Sequence, residues 1–368
     1  MRNPEQIKMR RRAAVASLSL ALAFGSSVVA TAASAQSAGA GDSLRIGVLF
    51  DSDTLIELRI AVDLRALVND RDSLERKEHP AALTYRVGEG GPVSLDVDAK
   101  TRGHWRRQRA NCDFPPLRLD FPAREVAGTI FAGQDKLKLV TPCRPGRREY
   151  QEYVLREYAA YRVYNLLTPL SFRVRLASTT YVDTAGREDS LTRYTFLVED
   201  EDRMAARNDG RTIQTPGANF VDMDPIQLGL VSVFLYMIGG TDWSLRGLHN
   251  MAVVQEQVGT FYPVTYDFDW TGIANTSYAT PDPRLGIRTV RERLYRGSCL
   301  GESDLAAVLA KFRERQADIY AVYDSVPGLS ERYVKDTRAY LDAFYRIIDD
   351  PRKVKSELIR RCSSAERT

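Results

Sequence analysis

Between Leu55 and Val140 the chain repeats one pattern, short runs in which every second residue is apolar. Leu58, Ile60 and Val62 alternate in "LIELRIAV", Leu117, Leu119 and Phe121 in "LRLDF", and Leu137 and Leu139 in "KLKLV". "LTYRV" and "VSLDVDA" flank the glycine-rich "GEGGP" like the arms of a hairpin. A period of two sends successive side chains to opposite faces, so each run reads as a strand that buries one face. The period then changes. "REYQEYVLREYAAYRVYNLL" sets Leu155, Ala159, Val163 and Leu166 on one stripe, and Thr168-Pro169 ends it. Several strands and one long helix must therefore share a core.

Beyond that helix, "FRVRLASTTYVD" and "RYTFLVED" form a second hairpin pattern across "TAGREDS". "DPIQLGLVSVFLYMIGG" is apolar all round and reads as a buried helix, with Asp224 as N-cap, Pro225 in the first turn and glycines closing it. "NMAVVQEQ" and "FYPVTY" make a strand pair joined at "VGT", and helical spacing recurs near 303–325, 329–348 and 351–361. The expected fold class is α+β. A β-rich N-terminal lobe over 51–200 carries one long helix, and a mainly helical C-terminal lobe over 201–368 contains a hairpin, with a cleft between the two.

Residues 1–35 are set apart by their own signature. Basic Lys8–Arg12, an apolar small-residue run from Ala13 to Ala30, and Ala33-Ser34-Ala35 before Gln36 form the three regions of a secretory signal peptide. Residues 36–50 read as a flexible leader, and no later apolar run is long enough to span a bilayer. The expectation is a secreted or periplasmic chain with no stable membrane insertion. Cys112, Cys143, Cys299 and Cys362 then favour disulfides, and with no C-x-x-C pair a zinc site is not indicated. Pairing within each part of the chain gives Cys112–Cys143 and Cys299–Cys362. A net charge of +4, spread widely, is not a nucleic-acid footprint. His79, His104 and His249 are isolated, which leaves little material for a histidine-rich metal site or a Ser-His-Asp triad.

One stretch carries chemistry. "GGTDWSLRGLHNMAVVQEQVGTFYPVTYDFDW" gives, in order, a helix end, Asp242, Asn250, a strand pair, and Asp267-Phe268-Asp269. The loop before the first strand and the residue after the second meet at one end of a hairpin, so Asp242, Asn250 and Asp267 converge. Protein kinases use the same order: a catalytic Asp, a metal-binding Asn, a hairpin, then a metal-binding Asp followed by Phe. Asn and Asp oxygens suit Mg²⁺ or Mn²⁺. Seven residues separate Asp242 from Asn250, against about four in the familiar motif, and Asp269 stands where Gly is usual. Asp242 could equally be a helix-ending turn residue, and Asp269 a partner for a nearby arginine.

Tyr266-Asp267-Phe268-Asp269, with Asp242 and Asn250 upstream, resembles the CotH-type kinase family of secreted and spore-coat, atypical kinase-like proteins. Arg102-Gly103, "FPPLRLDF", "KLKLV" and the long helix follow that family's order over roughly residues 90–275, although Pro115-Pro116 stand where it often has Lys-Lys. The resemblance implies an atypical protein-kinase-like bilobal fold and transfer of the ATP γ-phosphoryl group to a hydroxyl of an exported or envelope protein. Asp242 would be the catalytic residue, and Asn250, Asp267 and Asp269 would hold Mg²⁺ or Mn²⁺. A kinase-like site also needs a strand cation oriented by a helix carboxylate. Lys138 with Glu157 is the best such pair and Arg118 a second cation, although Lys136 and Lys138 could simply mark a solvated strand face. "GEGG" at 88–91 could close over phosphates or be an ordinary hairpin turn. The alternative to an active kinase is a catalytically inactive, kinase-like envelope binding or structural module.

Overall fold

The alternation of the N-terminal runs becomes the inside and outside of a barrel. The computed structural model describes residues 48–71, 76–87 and 90–364. The expected signal peptide over 1–35, nearly all of the expected leader over 36–50, and Gly88 and Glu89 of the "GEGG" stretch lie outside the described residues. Strands β1 (Ile56–Val62), β2 (His79–Arg86), β3 (Val93–Thr101), β4 (Leu117–Asp120), β5 (Lys136–Val140), β6 (Val174–Asp183) and β7 (Leu191–Val198) close in the order β1-β2-β3-β4-β5-β7-β6. Every neighbouring pair is antiparallel except β1 and β6, which run parallel with Leu58 opposite Thr179 and complete the ring. Ile60, Leu83, Leu95, Leu117, Leu119, Leu137, Leu139 and Leu197 fill the interior. Burying each such side chain contributes roughly 1.5–3 kcal/mol.

Short helices α1 (Leu64–Asn69) and α2 (Ala123–Val126) decorate the barrel, while α3 (Arg148–Leu167) lies on its outer surface against β7 and β6. There Leu155, Ala159 and Val163 meet Val174, Leu176, Phe196 and Val198, and the same apolar cluster runs on into the helices that follow. These are α4 (Glu201–Ala206), α5 (Pro225–Ile238), α6 (Glu302–Glu314), α7 (Gln316–Ser325), α8 (Glu331–Ile348) and α9 (Pro351–Val354). Helix α5 is buried on all sides, and its start is as the sequence indicates: the Gln227 N–H donates to Asp224 Oδ1 at 2.7 Å, and Pro225 needs no N–H partner. Strands β8 (Gly210–Ile213), β9 (Met251–Glu256) and β10 (Phe261–Thr265) form a separate antiparallel sheet in the order β10-β9-β8.

The mixed strand-and-helix class is as expected, but closure is not. The resemblance implies a kinase-like bilobal fold, whereas β1 and β6 zip the described strands of the N-terminal part into a closed seven-stranded barrel, which is not that fold. Three smaller differences follow from local causes. The C-terminal "hairpin" is a three-stranded sheet, because β8 adds to β9. The helix expected over 303–325 divides at Arg315, which no glycine or proline marks. The last turn, Lys355–Ile359, widens to a π-helix. Both disulfides join the expected partners, Cys112–Cys143 and Cys299–Cys362. Among the described residues no helix is long and apolar enough to cross a membrane.

Candidate functional site

Helix α5 stops at Gly239 in a left-handed turn (φ 70°), where a Cβ would stand 2.4 Å from Tyr340 Oη and 2.9 Å from the Val290 carbonyl oxygen. Only glycine fits such a close approach. The loop that follows carries Asp242 and folds on itself through paired Ser244 and His249. It enters β9 at Asn250, itself left-handed (φ 53°). The carbonyl of Asn250 accepts the Tyr266 N–H at 3.1 Å and the Thr265 hydroxyl at 3.2 Å, which brings the end of β10 to the start of β9. Asp267 follows with φ 64°, a conformation that Asp and Asn tolerate better than other residues with a Cβ. Its N–H donates to Tyr161 Oη of α3 at 2.8 Å, so a helix side chain fixes the turn.

Asp242 and Asn250 meet as the spacing predicts. The Asn250 amide donates to the Asp242 carbonyl at 2.7 Å and to Asp242 Oδ2 at 3.2 Å, which ties the two side chains together. Asp242 Oδ1 lies 3.0 Å from His249 Nε2, and this hydrogen bond, with burial opposing it, raises the imidazole pKa above its ordinary value. Asp242 opens onto a cleft of about 650 Å³ lined also by Trp243, His249, Trp270, Arg284 and Arg296.

Asp267 and Asp269 hold an arginine. Arg106 Nη2 lies 3.1 Å from Glu157 Oε2, 3.1 Å from Asp269 Oδ2 and 3.7 Å from Asp267 Oδ1. One ligand oxygen from each of these carboxylates lies within 4.8 Å of the others. Glu157 and Asp269 are buried, at 2% and 5% exposure, whereas Asp267 is 44% exposed. Burial, partly offset by Arg106 and reinforced by the neighbouring acids, pushes Glu157 up to about 8 and Asp269 up to about 6. Asp269 also accepts from Tyr278 Oη at 3.0 Å. Phe268, between the aspartates, is buried against Tyr161, Tyr164 and Phe234.

The expected Lys138–Glu157 ion pair gives way to Arg106–Glu157. Lys138 and Glu157 nevertheless line one small cavity of about 20 Å³, with Arg102, Tyr161, Tyr266 and Asp267. The Lys138 ammonium lies over the rings of Tyr266 (5.2 Å) and Phe172 (5.9 Å), and its pKa is lowered by burial and then by Arg102. Arg118 is elsewhere. Although it faces Lys138 across β4 and β5, its guanidinium pairs with Asp120 at 2.6 Å and Glu78 at 3.2 Å, so it does not reach the cavity. The structure thus brings together Asp242 with Asn250, and Glu157 with Asp267 and Asp269 beside Lys138.

Four residues take a part at the site that the sequence reading did not assign to them. Arg102 and Arg106 are four apart in a basic run, Tyr161 lies one helical turn after Glu157, and His249 adjoins Asn250. Helical spacing on α3 is a usable signal for Tyr161, whereas Arg106 is reached by an irregular segment that no periodicity marks. Comparison with models of known protein families and with curated proteins returned no match.

Proposed function

We propose that this chain is an exported, metal-dependent phosphotransferase of the CotH-like kinase type, moving the γ-phosphoryl group of ATP to a hydroxyl of an exported or envelope protein. One observation carries this reading, the chain order of parts that converge in space. Lys138 lies on β5, Glu157 on α3, then come the hairpin β6–β7, α5, the Asp242–Asn250 loop, the hairpin β9–β10 and Asp267-Phe268-Asp269. Kinases present a strand lysine, a helix glutamate, a catalytic-loop Asp and Asn, and a metal Asp before Phe in that order.

On this reading Asp242, oriented by His249 and Asn250, accepts the proton of a hydroxyl entering from the 650 Å³ cleft. Asn250 Oδ1, Asp267 and Asp269 are hard oxygen donors and fit Mg²⁺ or Mn²⁺. Bound there, the ion would neutralise charge on phosphate oxygens. Lys138 and Arg102 add positive charge beside Asp267. Phe268 packs against Tyr161 of α3, one helical turn after Glu157, which links the Asp267–Asp269 turn to that helix.

The narrowness of the Lys138 cavity favours a second reading. About 20 Å³ admits a water and not a nucleotide, so Tyr266, Phe172 and Lys138 must separate before ATP enters. A binding module that keeps these parts without turnover needs no such opening. Labelled ATP with Mg²⁺ or Mn²⁺, incubated with the mature chain, distinguishes the two. Phosphoryl transfer to itself or to a generic protein acceptor, lost in Asp242→Asn, supports the kinase. No transfer and no melting shift with Mn²⁺-ATP beyond Mn²⁺ alone supports the binding module.

A further inference from the structure

The cation among the three carboxylates is part of the chain, and where it comes from matters. Arg106 belongs to residues 102–112, a segment without regular secondary structure between β3 and β4. Anchors hold that segment on both sides of the arginine. Trp105 packs on Tyr278 (5.1 Å between centroids) and on Trp270 (5.7 Å), and Tyr278 donates to Asp269. Asn111 Nδ2 donates to the Trp105 carbonyl at 2.9 Å, and Cys112 is bridged to Cys143. The N–H groups of Asp113 and Phe114 both donate to the Cys143 carbonyl. The arginine is therefore delivered to the carboxylates by a stapled loop, at high effective concentration.

We propose that Arg106 is a built-in competitor for the divalent cation, a tethered guanidinium that holds Glu157, Asp267 and Asp269 together and must swing out when the ion enters. The proposal rests on the cation-site reading given above. A hard divalent ion sits about 2.0–2.6 Å from its carboxylate oxygens. Arg106 Nη2, 3.1 Å from an oxygen of Glu157 and 3.1 Å from one of Asp269, occupies the space such an ion needs. Two cations that close repel strongly in a poorly solvated site, so the carboxylates take one or the other. The exchange is conservative for the fold, because Trp105 and the Cys112–Cys143 bridge anchor the segment at either end while the backbone between them, no longer tied through Arg106, loosens. Arg106 thereby serves two ends. In the absence of ion it prevents three clustered carboxylates, two of them buried, from repelling one another, and it sets a threshold of ion concentration below which the site stays closed.

The test uses Mn²⁺ alone on the full mature chain. Calorimetric titration compares wild type, Arg106→Gln and Asp269→Asn, and hydrogen exchange of wild type is followed with and without saturating Mn²⁺. The expected result is a dissociation constant for Mn²⁺ at least about tenfold lower in Arg106→Gln, since the competitor is gone. Binding should be lost in Asp269→Asn, and exchange over residues 102–112 of wild type should quicken when Mn²⁺ binds. A folded Arg106→Gln that binds Mn²⁺ no tighter than wild type overturns the competition and leaves the cation site standing, provided Asp269→Asn abolishes binding. No Mn²⁺ binding by either wild type or Arg106→Gln overturns the competition and the cation site together. If Arg106→Gln does not fold, the wild-type exchange decides: unchanged exchange over 102–112 at saturating Mn²⁺ overturns the proposal.

Discussion

Asp267 and Asp269 stand two residues apart yet meet solvent differently, which makes replacing each by asparagine diagnostic. Asp267 is 44% exposed and 3.7 Å from Arg106, so its ion pair is worth less than about 1 kcal/mol. Its backbone N–H to Tyr161 survives the substitution, and Asn tolerates φ 64° as Asp does. Asp267→Asn should therefore melt within about 2 °C of wild type in EDTA. Asp269 is buried, forms an ion pair with Arg106 at 3.1 Å and accepts from Tyr278 at 3.0 Å. Hydrogen bonds to a charged group contribute roughly 1.5–3 kcal/mol each. Asn keeps one acceptor oxygen, and Glu157 still pairs with Arg106, so the net loss should be about 2 kcal/mol, or roughly 3–5 °C for a chain of this size. With Mn²⁺ the two variants should converge. Ligand at a hundredfold excess over its dissociation constant stabilises wild type by about 2.7 kcal/mol, and both variants should forfeit that gain. Thermal melts of each protein in EDTA, Mn²⁺ and Mn²⁺-ATP read all of this. An apo Asp267→Asn that melts as low as Asp269→Asn would show that Asp267 is a structural partner of the arginines. An undiminished Mn²⁺ shift in Asp267→Asn would remove it from the ion's ligands.

Three further outcomes are expected. Opening the bridges by paired Cys→Ser changes should cost about 3.7 kcal/mol at Cys112–Cys143 and about 4.3 kcal/mol at Cys299–Cys362, from sequence separations of 31 and 63 in the chain-entropy account; urea unfolding that shows less than about 1 kcal/mol for either would contradict it. Gly239→Ala should destabilise by on the order of 3 kcal/mol, adding left-handed strain to a contact with Tyr340 and Val290 that cannot be relieved on the backbone side, and a melt unchanged from wild type would refute it. Glu157 is raised from its ordinary 4.5 to about 8, so the stability it contributes is fully present below pH 4.5 and is lost as pH rises towards 8; apo wild type should lose stability across that window more steeply than Glu157→Gln, and parallel pH profiles would refute the assignment.

What the sequence disclosed and what it hid divide along a physical line. Local periodicity is written into neighbouring residues, so Leu137 and Leu139 inside β5, Leu155, Ala159 and Val163 on α3, and the Asp224-Pro225 start of α5 were all legible. The return of the chain at Tyr266-Asp267 to Asn250 was legible for a related reason: a hairpin returns the chain to where it left, so the topology of two strands is enough. Barrel closure is different in kind. It depends on β1 lying parallel to β6, more than a hundred residues later, and β1 carries the same alternation whether its second edge is paired or bare. The identity of the cation on Asp269 is hidden more deeply still. A carboxylate flanked by apolar residues announces that something positive must meet it, but a metal ion and an arginine satisfy that demand equally on paper. Arg106 arrives on an irregular segment whose course is set by a disulfide and by Trp105 stacking, neither of which leaves a period to read. The cluster itself therefore poses the question that the asparagine pair answers: the two buried carboxylates tied to Arg106 need their charge balanced inside the fold, whereas exposed Asp267, weakly coupled to that arginine, is free to serve a cation that comes from solvent.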